Sequence, residues 1–98
     1  MKIFKYTLDR VEAQSIWMPY GAKILTAQVQ IEETPIFFRE HIQLWAYVNE
    51  NARTNLRNIR IYGTGNPMPE ENGHNLLEYI STVQMDSGAL VFHIFEQK

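Results

Sequence analysis

Cysteine is absent from the 98 residues. Disulfides, zinc–thiolate sites and a thiol nucleophile are therefore excluded, and the composition suits a reducing compartment. Long apolar runs are absent as well. No stretch approaches the roughly 18 apolar residues that a membrane-spanning helix requires. Met1-Lys2-Ile3-Phe4-Lys5-Tyr6 mixes charge into its apolar residues and lacks a small-residue cleavage site. Neither a membrane partner nor a signal peptide is expected. An excess of charge of one sign is missing too: nine basic and eleven acidic residues leave a formal net charge of −2. Counterion release on duplex DNA calls for a basic face, so duplex DNA is not an expected partner. Helical periodicity is scarce. The best candidate, Asp9 to Ile16, spaces Val11, Ala13 and Ile16 poorly for one helix face. There is no internal repeat and no low-complexity segment, and the length gives one domain over residues 1–98.

What is present is a period of two. Phe4, Tyr6 and Leu8 share a face in Lys2–Leu8. Leu25, Ala27, Val29 and Ile31 alternate with Ile24, Thr26, Gln28 and Gln30. Ile42, Leu44, Ala46 and Val48 alternate with Gln43, Trp45 and Tyr47, and Ile59 and Ile61 alternate with Arg60 and Tyr62. In Glu78–Met85 the pattern sets Ile80 and Thr82 against Tyr79, Ser81 and Val83. Ala89–Glu96 is nearly all apolar and reads as a central strand buried on both faces. Turn residues divide these runs at Pro19-Tyr20-Gly21, at Glu32 to Pro35 and at Asp86-Ser87-Gly88, the last a short hairpin link. Asn49 to Asn55 is polar, a loop or a single helical turn. The expected fold is all-β, or β-rich α+β, as a small antiparallel sandwich or barrel of six or seven strands.

The stretches "MKIFKY", "MPYGAKILTAQVQ", "LWAYV", "IRIYGTGNPMP", "EYISTVQ" and "GALVFHIFE" cover most of the chain in order. With them the sequence resembles a family of small phage and prophage proteins of unknown function. Ile31 to His41 fits that pattern least well and reads as a local insertion. The resemblance implies a tailed-phage origin and action in a host bacterial cytoplasm. It brings no activity and no catalytic residues.

Gly63-Thr64-Gly65-Asn66 comes directly after a strand pattern, as phosphate-cradling loops do. A Walker loop would need Lys-Ser or Lys-Thr next, and a dinucleotide fingerprint a third glycine opening a helix. Pro67 and Pro69 stand there instead, remove two N–H donors and disfavour a helix. The expectation is a rigid loop with positive φ at one or both glycines, lying beside a binding surface. That surface would be a strip of Trp45, Tyr47, Arg60 and Tyr62, each on the face opposite the apolar residues of its strand; base–aromatic stacking is worth roughly 1–3 kcal/mol per base. The ligand-binding candidates are thus Trp45, Tyr47, Arg60, Tyr62, Gly63, Thr64, Gly65 and Asn66.

His41, His74 and His93 lie far apart without a metal-binding spacing, and His93 within "LVFHIFE" reads as a hydrogen-bonded histidine in a half-buried strand. Ser81, Thr82 and Ser87 lack a nucleophile-elbow context, and Glu32-Glu33 and Glu70-Glu71 sit beside prolines as solvated turns. No catalytic, metal or cofactor site is expected. Two tryptophans, five tyrosines and five phenylalanines crowd a small interior, so some belong to the surface or to an interface, and a homo-oligomer, most simply a dimer, is expected. The functional expectation is a non-enzymatic, anti-defence phage accessory protein whose oligomer sequesters a small nucleotide-like host immune signal. The alternative is an interaction module that inhibits a host enzyme or serves as a minor virion component.

Overall fold

Along most of the strands buried and open side chains alternate, and that alternation builds a two-layered all-β molecule. The computed structural model describes residues 1–70 and 76–98. The strands are β1 (Lys2–Leu8), β2 (Ala13–Pro19), β3 (Lys23–Glu33), β4 (Phe38–Val48), β5 (Thr54–Gly63), β6 (Leu77–Met85) and β7 (Leu90–Gln97). They form two antiparallel sheets, ordered β1-β4-β3 and β2-β5-β7-β6, in a sandwich-like arrangement. No helix among the described residues is long and apolar enough to cross a membrane.

The core lies between the sheets. Ile42, Leu44, Ala46 and Val48 of β4 meet Met18, Ile59, Ile61, Val83, Met85 and Ile94 of the facing sheet, all buried. Each large aliphatic side chain sealed this way contributes about 1.5–3 kcal/mol. The layers also join along one edge, where the Thr26 and Ser81 hydroxyls lie 3.0 Å apart and the Ala27 N–H donates to Ser81 Oγ at 2.9 Å. At one end of the interior, the Arg57 guanidinium grips both carboxylate oxygens of Glu96 and donates from Nη1 to the Ala22 carbonyl at 2.7 Å. The Lys98 ammonium joins Glu96 and Glu78, at 3.2 Å from each.

Four sequence expectations change. Ala13–Pro19 is a strand, with Ile16 and Met18 turned inward and Ser15 and Trp17 outward; the poor helical spacing over Asp9–Ile16 marks a bend leading into β alternation. A bulge at Leu25 shifts the phase of β3, so Ile24 packs on the core with Ala27 and Val29, while Leu25 is exposed. A second bulge at Ile80 turns Ser81 inward with Val83 and sets Tyr79 and Thr82 on the outer face together. β7 is central, between β5 and β6, but only one of its faces is buried: His93, Phe95 and Gln97 look outward and are half-buried. The Asp86-Ser87-Gly88 hairpin link forms as expected. Ser87 (φ 54°, ψ 33°) and Gly88 (φ 89°) make a type I′ turn closed by the Ala89 N–H on the Asp86 carbonyl. Asn49–Ala52 is a turn stabilised by the Asn49 side chain, which accepts from the Asn51 N–H.

Candidate functional site

The outer face of the four-stranded sheet is a grid set by strand register. One row across it reads Ala13, Arg60, Phe95, Tyr79; the next reads Tyr62, His93, Thr82. Neighbouring rows lie about 7 Å apart along the strands.

His93 is the centre of a hydrogen-bonded relay that joins β7, β6 and the turn after β5. Its Nε2 is 2.7 Å from Thr64 Oγ1 and its Nδ1 is 2.9 Å from Thr82 Oγ1. Thr82 Oγ1 in turn lies 2.7 Å from the Tyr79 hydroxyl. A neutral imidazole carries one N–H, so the relay has two self-consistent polarities. In one, Tyr79 donates to Thr82, Thr82 to Nδ1 and Nε2–H to Thr64, which leaves the Thr64 hydroxyl proton pointing outward. In the other the direction reverses, and the Tyr79 hydroxyl proton is the one presented.

Local backbone devices place both ends. Thr82 follows Tyr79 by three positions, so plain alternation would put them on opposite faces; the Ile80 bulge brings them to one. Thr64 is held by a turn. The Asn66 N–H donates to the Gly63 carbonyl at 3.0 Å, and Gly65 at the third position has φ +86°, the geometry of a type II turn. The Thr64 N–H is tied to the Val91 carbonyl at 3.1 Å. A side chain at Gly63 would meet Asn66 Nδ2 at 2.8 Å, so glycine there lets the Asn66 amide fold back over the turn. The expected turn with positive φ is present, at Gly65.

Beside the relay, Phe95 sits between Tyr62 and Tyr79, with ring centroids 6.1 and 5.7 Å away and edge-to-face geometry. Arg60 Nε donates to Gln97 Oε1 at 2.7 Å, which uses one of its five donors. Tyr79 is 58% exposed, and Trp17, at the far end of the same face beside Leu56, is 62% exposed.

The residues proposed from sequence divide into two groups. Thr64 is one end of the relay, and Arg60 and the rest of the Gly63–Asn66 turn adjoin it. Tyr62 lies on that face too, but at 6% exposure it supports Phe95 and offers little stacking surface of its own. Trp45 and Tyr47 belong to β4 of the other sheet, next to Lys5 and Ile3 of β1. The sheets pack through their inner faces, so Trp45 and Tyr47 look away from Arg60 and Tyr62, and the four do not form one strip. Trp45 is half-buried and Tyr47 is exposed. Sequence reasoning missed Tyr79, Thr82 and Phe95. His93 is half-buried and hydrogen-bonded as expected, but its two hydroxyl partners come from loop and strand positions that only the register reveals. Among the described residues no group of three His, Cys, Asp or Glu side chains could hold a metal ion; His74 and Glu71 lie outside the described residues.

A family model described as a domain of unknown function (DUF7352) matches residues 1–98. No curated protein matches the chain, and no solved structure matches it.

Proposed function

The chain belongs to the DUF7352 family, and from that premise we propose that it is a non-enzymatic binding protein holding a small nucleotide-like ligand on the outer face of its four-stranded sheet. The observation that carries the reading is the Thr64–His93–Thr82–Tyr79 relay, set next to Phe95 and Arg60 on an open face. A nucleobase presents donors and acceptors side by side, and a relay that inverts its polarity satisfies either kind at its ends. The exposed edge of the Tyr79–Phe95 pair supplies stacking area. Arg60 supplies charge for a phosphate.

The surroundings of His93 favour binding without turnover. Both ring nitrogens are engaged by hydroxyls, and among the described residues neither meets a carboxylate that would steady an imidazolium during proton abstraction. In the tailed-phage setting that the sequence resemblance implies, the ligand would be a host immune signal, sequestered in the bacterial cytoplasm as an anti-defence measure.

The test begins with protein purified from bacterial cells, denatured, with the released small molecules identified by mass spectrometry. Calorimetric titration with AMP and with cyclic dinucleotides is the second step. His93→Ala and Thr82→Val should each weaken binding about tenfold, the worth of one well-placed hydrogen bond. Equal affinity of both variants and the parent protein would overturn the assignment of the site.

A further inference from the structure

Tyr79, Thr82, a neutral His93 and Thr64 bring four protons to three hydrogen bonds. One proton is left over. It faces outward at one end of the relay, while the other end shows only lone pairs. The two ends are therefore tied: when Tyr79 donates outward Thr64 accepts, and the reverse. They lie within about 11 Å of one another, because only three short bonds and one imidazole ring separate them. Charge on this face is one-sided. No Asp or Glu occupies an outward strand position of the four-stranded sheet, and Arg60 is the charged residue among those positions. Arg60 shares its row with Phe95 and Tyr79, and its Nε bonds Gln97, on the side of that row away from His93. Thr64 stands four residues further along the chain, roughly 13 Å from Arg60 at the strand rise. An anionic ligand group thus belongs at the Tyr79 end and not at the Thr64 end.

We propose that the relay selects nucleotides whose base carries an exocyclic amino group, an inference that rests on the ligand reading above and names what the ligand must offer. The phosphate takes Arg60 and the outward proton of the Tyr79 hydroxyl. That choice sets the direction of the whole relay: Thr82 donates to Tyr79, His93 Nδ1–H to Thr82, and Thr64 to His93 Nε2. The Thr64 oxygen keeps free lone pairs and calls for a donor. An amino group supplies one, whereas a bare ring carbon leaves the oxygen unmet. Reversing the relay would relieve Thr64 only by withdrawing the proton offered to the phosphate. Protonation lifts the restriction. An imidazolium adds a fifth proton, drawn from solvent, so both ends donate at once and the amino group loses its advantage. The groups that face His93 with charge or titration are Arg60 and Tyr62 from β5 and Tyr79 from β6; the Gly63–Asn66 turn and the outward positions of β7 beside it add none. Tyrosines as a class stay neutral where histidines titrate.

Calorimetric titration with AMP and with purine riboside 5′-monophosphate, which is AMP without its amino group, tests it. At about pH 8 AMP should bind about tenfold more tightly than the analogue, and the ratio should approach one by about pH 5, across the range in which histidine titrates. The phosphate titrates alike in both probes, so the ratio isolates the relay. Thr64→Val should bring the two affinities together at every pH, with circular dichroism unchanged. Nitrogen NMR of the AMP complex at the upper pH should show the His93 proton on Nδ1. Equal affinities in the parent protein, a preference that persists in Thr64→Val or stays flat with pH, or a bound His93 carrying its proton on Nε2 would each overturn the selectivity. The ligand reading would still stand in those cases if Thr82→Val weakened AMP binding. No binding of AMP, its analogue or cyclic dinucleotides would remove both.

Discussion

Strands β5, β6 and β7 carry two polar networks, one on each face, and the two differ in kind. On the inner face Arg57, Glu96 and Lys98 form a charged cluster, with Glu96 almost wholly enclosed. On the outer face Thr64, His93, Thr82 and Tyr79 form a hydrogen-bonded chain without ion pairs among the described residues, and it is largely open. A buried charge is tolerated only when it is paired, so the inner cluster is bound to the integrity of the fold. Exposed hydroxyls cost little whether or not they are paired, so the outer chain is available to a ligand. The same three strands thus set a charged cluster that stabilises the fold apart from the open hydrogen-bonded face on which binding is proposed.

The sharpest way to break that contrast is Arg57→Ala, which takes the two-pronged partner from the enclosed Glu96 and leaves it only the half-exposed Lys98. The expected loss is about 3–5 kcal/mol in urea unfolding, with binding lost only as far as the protein unfolds. The pH dependence has a definite sign. Burial alone would push the Glu96 carboxyl up, but the bonds from Arg57 and Lys98 outweigh it and hold the carboxyl below its ordinary value of 4.5. A carboxyl lowered in the folded state contributes stability that is present above the unfolded value and is lost as pH falls through the folded one. Stability should therefore decline below about pH 4.5. Glu96→Gln should flatten that acid limb; an unchanged limb would show that other carboxylates control it.

Gly65→Val comes next. Gly65 has φ +86°, where a β-branched residue is strained by roughly 1–2 kcal/mol. Relief of that strain would move Thr64 off His93, so binding should fall together with a modest drop in melting temperature. A variant that kept both would mean that the turn is not what positions Thr64.

Thr64→Val separates the two faces more finely. It removes one end of the relay and leaves the turn's backbone bonds in place. Stability should change by about 0.5–1.5 kcal/mol or less, given the exposure of the pair, while affinity for a nucleotide probe falls about tenfold. The reverse pattern, a large stability loss with intact affinity, would make the relay a structural feature like the inner cluster.

Much of the architecture was legible because alternation is local. The apolar positions of β4 and β5 could be read directly, and so could the Ser87-Gly88 hairpin and the glycine turn after β5. Two single-residue bulges, at Leu25 and Ile80, were not legible. Each reverses the phase of the strand residues beyond it, and nothing in the residue types announces it. The Ile80 bulge is the reason Tyr79 and Thr82 escaped notice as a pair. The grouping of Trp45 with Arg60 failed for a different reason. β4 and β5 are consecutive in the chain but pair into different sheets, β4 with β1 and β3, β5 with β2 and β7. Strand partnership is set by long-range packing, which a period of two along one segment does not encode.

The smallest expected effect falls on the outer face of the three-stranded sheet. That face also carries hydrogen-bonded polar side chains, with Lys5 donating to Gln30 at 3.0 Å and Thr7 to Gln43 at 2.8 Å, and it carries Tyr47 in the open. It therefore resembles the proposed binding face in composition. What it lacks is convergence: these are separate cross-strand pairs, each closed on itself, and no histidine or turn joins them into a chain. Tyr47 is 44% exposed at the end of β4 beside Ile3. Tyr47→Ala should shift stability by no more than about 0.5 kcal/mol, as surface substitutions usually do, and leave nucleotide affinity unchanged. A tenfold loss of affinity on this substitution would place the ligand on the opposite side of the sandwich and return Trp45 and Tyr47 to the site, with the His93 relay as scaffold.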